Sequence, residues 1–135
     1  MIELSNSNAQ VLSAGQSMAF DLVLLKVGCA ECHRNNSGAI NLRNNKIYEV
    51  SFNCNIGATA EGQNAQLAIT LDGSPLQETT VIVPTAAAGD LTNVFASTFI
   101  STCCCEGNNT VLLTNTGTTD INVAAYPRFS SKKII

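Results

Sequence analysis

The chain has 135 residues, a mass of 14.2 kDa and room for one domain with a single core. Hydrophobic residues make up 45% and charged residues 13%, against about 25% charged in an average soluble chain, so 15 Asn, 13 Thr and 11 Ser take the surface that charges usually hold. That balance excludes disorder, a net charge of −3 gives no general attraction to nucleic acid, and no apolar run reaches the roughly 18 residues of a membrane span.

Met1 to Gln10 lacks the basic-then-apolar order of a secretory leader, and residues 1–14 are a candidate N-terminal arm or attachment strand at the head of a single domain spanning 1–135. Met18, Phe20, Leu22 and Leu24 alternate as a strand, and Leu25 to Val27 blur the alternation as expected where both faces are covered. The strongest signal is Tyr48, Val50, Phe52, Cys54 and Ile56 interleaved with Glu49, Ser51, Asn53 and Asn55, which puts the five apolar side chains on one face of a strand. Ala65, Leu67, Ile69 and Leu71 repeat the pattern and run into Asp72-Gly73-Ser74-Pro75, a turn sequence, after which Leu76 to Val83 reads as the returning strand of a hairpin. Ala86 to Ala96 is the only helical candidate, and Gly89, Asp90, Thr92 and Asn93 weaken it to a loop entering a strand. Val94 to Thr102, Thr110 to Thr114 and Ile121 to Tyr126 complete the strand set, the last two flanking the turn cluster Asn115 to Asp120. Lys132-Lys133 reads as a solvated strand end, too short for a nucleic-acid patch. About eight short strands with turn signals between them predict an all-β, antiparallel jelly-roll sandwich with no substantial helix.

Six cysteines stand out. Cys54 lies on the inward face of its strand and is expected to behave as a small buried hydrophobe. The other five form two groups at strand-to-loop transitions, Cys29 and Cys32 in one and Cys103, Cys104 and Cys105 in the other. Alternate loops of a jelly roll gather at one end, so the two groups are candidates for a common clasp. A pair of disulfides is one form, each closing a loop of about 70 residues and worth on the order of 4 kcal/mol in the chain-entropy model. Zinc held by Cys29, Cys32, Cys103 and Cys105 is a second, and free thiols in a reducing compartment a third. Cys29, Cys32 and His33 also match the C-x-x-C-H pattern of haem c attachment, but no second His and no helical context accompany it, which disfavours haem. No cofactor other than structural zinc is indicated.

Two stretches carry a family resemblance: Lys46-Ile47-Tyr48-Glu49-Val50-Ser51-Phe52, and Leu67-Ala68-Ile69-Thr70-Leu71-Asp72-Gly73-Ser74-Pro75-Leu76. In these the chain resembles the tumour-necrosis-factor-like and complement-type jelly rolls. Within that group it is most similar to the bacterial branch, the C-terminal domains of collagen-like spore-surface glycoproteins and related head-fibre or decoration proteins of Firmicute phages. The resemblance implies a homotrimer displayed on the outside of a particle. No Gly-X-Y stretch stands ahead of the domain, which favours a virion component over a spore filament.

Enzymatic signatures are missing. His33 is the single His, the carboxylates Asp21, Asp72, Asp90 and Asp120 are scattered through turns, and no G-x-S-x-G, P-loop or H-E-x-x-H pattern occurs. Asn35-Asn36-Ser37 and Asn108-Asn109-Thr110 fit the glycosylation sequon, a match expected by chance in so Asn-rich a chain. The expectation is a non-enzymatic structural protein, made in the host cytoplasm and carried on the virion surface, with itself and a capsid or other virion protein as partners and neither nucleic acid nor membrane among them. The alternative is a carbohydrate- or ligand-binding module on a bacterial or spore surface, meeting a glycan or receptor through its loops.

Overall fold

A computed structural model describes residues 1–28, 30–33, 37–102 and 109–135. They form thirteen strand segments: β1 (Ile2–Ser5), β2 (Gln10–Leu12), β3 (Leu22–Lys26), β4 (Glu31–His33), β5 (Ile40–Leu42), β6 (Ile47–Ala58), β7 (Asn64–Leu71), β8 (Ser74–Pro75), β9 (Val81–Pro84), β10 (Thr92–Ser101), β11 (Thr110–Thr114), β12 (Ile121–Val123) and β13 (Arg128–Lys133). All their pairings are antiparallel, and they make two sheets of a jelly-roll sandwich. A single 3-10 turn at Gln77–Thr79 is the only helical element among the described residues.

The first sheet is organised by β6. Its Ile47–Ile56 stretch pairs with β10 along one edge, while along the other edge β13 pairs with Tyr48–Asn53 and β12 with Ile56–Ala58. From β13 the sheet continues through β1 to β3, and from β12 to β2. Residues 1–14, the candidate arm, therefore supply two strands of this sheet, and Ile2, Leu4 and Leu12 are buried beneath it. The second sheet runs β4-β5-β11-β7-β8, with β9 on the remaining part of β7.

Period-two alternation decides which side chains meet between the sheets. Tyr48, Val50, Phe52, Cys54 and Ile56 from β6 face Leu67 and Ile69 from β7 in one continuous cluster, together with Val111, Leu113 and Phe129. Phe20 stacks on Phe129 with ring centroids 5.6 Å apart.

Two local departures from the sequence reading have clear causes. The hairpin turn forms with positive φ at Asp72 and Gly73, as a type I′ turn requires. The returning segment, however, is interrupted by the 3-10 turn. The buried Thr79 hydroxyl accepts the Ile69 N–H at 2.9 Å and donates to the Leu76 carbonyl at 2.7 Å, so a side chain replaces the missing ladder bond. The second departure is β3. Its apolar run is open to solvent rather than covered on both faces, with Val23, Leu24 and Leu25 between 40% and 49% exposed, because β3 is the last strand of its sheet.

Thr79→Val keeps the shape and removes the hydroxyl, leaving the Ile69 amide unpaired in the core. The expected loss is about 1–3 kcal/mol in urea unfolding, with Thr79→Ser close to wild type.

Candidate functional site

Both cysteine-bearing segments are flanked by residues at one end of the second sheet. Cys32 on β4 stands across from Asn41 on β5, which stands across from Thr110 on β11, so the ends of the two segments lie two strand spacings apart, roughly 10 Å. The Thr110 hydroxyl donates to Asn41 Oδ1 at 2.8 Å. The turn at residues 43–46 ties the flanks together. Thr102 donates its hydroxyl to the carbonyls of Arg43 (2.8 Å) and Lys46 (3.2 Å), and the Leu42 N–H donates to the Asn109 carbonyl at 2.9 Å. On the other flank the Arg43 N–H donates to the Ala30 carbonyl at 3.1 Å.

Cys29, Cys103, Cys104 and Cys105 lie outside the described residues, and so does any cross-link or zinc site that involves them. Cys32 is an exposed thiol on β4. His33 beside it is half-buried, with Nδ1 3.0 Å from the Ala39 carbonyl and Nε2 without a partner among the described residues. Among the described residues no three His, Cys, Asp or Glu side chains stand close enough to share a metal ion. Cys54 is 4% exposed on the inner face of β6, and burial pushes its thiol up to about 12.

Tyr48 connects the core to this end of the molecule. Its ring is fully buried, and its hydroxyl points out of the core to the Ala30 and Arg43 carbonyls at 3.2 and 3.1 Å. Burial is the largest influence on the phenol and raises it above its ordinary value. Beside this bridge Glu31 is 1% exposed, and its Oε2 accepts from the Met1 amine at 3.0 Å. That amine also donates to the Val27 carbonyl.

A cleft of about 290 Å³ opens here, lined by Met1, Val27, Gly28, Ala30, Arg43, Lys46 and Lys133. Reading the sequence missed it, because its three cationic side chains come from a turn and from a strand 87 positions beyond it. The one available signal was Lys133, which reads as a solvated strand end until the fold places it beside Arg43 and Lys46.

No protein-family model and no curated protein sequence matches the chain. Among solved structures, the PRD1 vertex protein P5 aligns over 99% of this chain and 96% of its own, with a TM-score of 0.55 and 15% identity. A family 35 carbohydrate binding module from Clostridium thermocellum aligns over 90% of this chain and 97% of its own, with a TM-score of 0.39 and 14% identity. The likeness to the vertex protein shows a shared sandwich fold.

The buried thiol makes stability depend on alkaline pH. Below pH 9 both the folded and the unfolded chain keep the Cys54 proton, so stability is unaffected. As pH rises from about 9 towards 12 the unfolded chain releases that proton first, and stability falls by up to about 1.4 kcal/mol per pH unit. Urea melts across this range should show a shallower decline for Cys54→Ala than for wild type.

Proposed function

We propose that the chain is a non-enzymatic structural protein of a virion surface, assembled as a homotrimer and displaying its loop ends outward. The observation that carries this reading is the pair of apolar strips on opposite edges of the first sheet. At one edge β3 exposes Val23, Leu24 and Leu25. At the other β10 exposes Phe95 and Phe99, 62% and 66% accessible. Large apolar side chains gathered along two sheet edges of a charge-poor chain mark contact surfaces.

The two strips differ in composition and lie about 19 Å apart across β6, β13 and β1. A two-fold dimer would bury one of them against itself and leave the other wet. Head-to-tail contact of β3 with β10 of the next copy buries both, and a ring of three closes such contacts with few subunits. Likeness in fold to a phage vertex protein along nearly the whole chain agrees with placement on a virion. A capsid or other virion protein is then the attachment partner, and the end bearing Cys32 and the basic cleft is available for a surface glycan or receptor. Of the five clasp candidates Cys29, Cys32, Cys103, Cys104 and Cys105, Cys32 stands at that end, and a disulfide or zinc clasp among them would suit a particle that must persist outside a cell.

Native mass spectrometry at micromolar concentration should give a trimer, and the protein should sediment with purified particles. Phe95→Ser combined with Phe99→Ser should yield a folded monomer with thermal stability close to that of an isolated wild-type chain. A wild-type monomer, or a chain missing from intact particles, would overturn the reading.

A further inference from the structure

We propose that the cleft between the end of β3 and the turn at 43–46 binds a small organic oxyanion, a phosphate or carboxylate carried on a compact polyol or sugar. Arg43, Lys46 and Lys133 are three of the chain's seven Lys and Arg residues, and all three line this one cleft in a molecule of net charge −3. Gathering like charges costs energy unless something opposes them. Among the described residues the ion pairs are Met1 with Glu31 and Arg128 with Glu3, so none of the three cations is paired there. Glu31 is the nearby acid, and its Oε2 is already held by the Met1 amine. Among the described residues the three cations and the Met1 amine thus outnumber the one nearby carboxylate, whose Oε1 has no partner.

The three side chains suit an oxyanion in complementary ways. The guanidinium of Arg43 offers a planar fork that two oxygens of one phosphate or carboxylate match, while Lys46 and Lys133 act as point charges free to settle on a third oxygen or a hydroxyl. Their placement is fixed from below. The backbone of Arg43 is held by the Tyr48 hydroxyl, by the Thr102 hydroxyl and by its own N–H to Ala30. Lys46 is tied through its N–H to Thr102 Oγ1 at 3.0 Å. Lys133 closes the β13 ladder opposite Tyr48. Val27 and Ala30 add apolar lining for a carbon skeleton. Gly28 turns the chain with φ of +81° and leaves open space where a side chain would stand. A volume of about 290 Å³ is at the small end for ligand sites, enough for one sugar-sized unit with its anionic group.

The cleft lies within one chain, so this inference stands whether or not the chain is a virion trimer. The test is an amide-resolved NMR titration of the full-length protein with glycerol 3-phosphate and with glucuronate, using glycerol and glucose as neutral controls. Saturable shifts at Gly28, Lys46 and Lys133 are expected for at least one anion, with a Kd of about 1 mM or tighter. Affinity should fall severalfold as salt rises from about 25 to 150 mM. It should fall about tenfold in Lys133→Ala and in Arg43→Ala. Binding of glycerol 3-phosphate alone assigns phosphate, and binding of glucuronate alone assigns carboxylate. The proposal is overturned by no saturable shift with either anion, by an equal response to glucose, or by unchanged affinity in Lys133→Ala. That exposed substitution leaves the core intact, so its result stands even if Arg43→Ala fails to fold.

Discussion

Strand β6 is hydrogen-bonded along both edges, and almost every other part of the molecule takes its position from that fact. Ten of its residues pair with β10 on one side, and β13 and β12 divide the other side between them. A strand paired on both sides cannot rotate or slip, and a one-residue slip would send Tyr48, Val50, Phe52, Cys54 and Ile56 to solvent and Glu49, Ser51, Asn53 and Asn55 into the core. The register is therefore held by the hydrophobic effect acting on five side chains at once. At the near end of this strand Tyr48 converts that rigidity into loop geometry, because one buried ring carries the hydroxyl that fixes both Ala30 and Arg43. The position of the basic cleft is thus a consequence of core packing directly beneath it.

The scarcity of charge has a structural counterpart on the outer face of the same sheet. Ser97, Ser51 and Ser130 lie side by side across β10, β6 and β13, and the last two share a hydrogen bond of 2.9 Å. Above them Asn93 donates to both Asn53 and Asn55. These short uncharged side chains satisfy one another across the strands. The same face also carries the Arg128–Glu3 ion pair at 2.9 Å, and the apolar strips stand at its two edges.

The parts legible in the sequence were those set by near neighbours. Alternation over residues 48–56 and the Asp72-Gly73 turn depend on local backbone chemistry, and both stand where the residues place them. The misreading of Leu25 to Val27 has a different origin. An apolar run without alternation fits a strand covered on both faces, and it fits an edge strand that waits for another chain equally well; only the order of strands in the sheet separates them, and that order is a long-range property. Thr79 likewise gives no local sign that its hydroxyl will stand in for a ladder bond. The core thiol Cys54 could be placed from its phase in β6, whereas the cleft could not be placed at all, since Arg43, Lys46 and Lys133 converge only after β13 has paired with β6.

Persistence and recognition pull on different parts of this design. The sandwich is closed by a continuous apolar cluster and by side chains such as Asn115, fully buried, whose amide group donates to the Leu12 and Thr119 carbonyls and accepts the Gly117 N–H. Such satisfied polar anchors lose heavily if any partner is removed, so they resist local opening. The cleft and its turn are built the opposite way: their backbone is pinned by Tyr48 and Thr102, while Arg43, Lys46 and Lys133 make no ion pair among the described residues. Pinned backbone beneath unsatisfied charge is a preorganised arrangement, in which the cost of holding the cations together has been met by folding and binding an anion then relieves it. Stability and recognition therefore share one strand but draw on separate atoms of it, the inward side chains of β6 for the first and the single outward-reaching hydroxyl of Tyr48 for the second.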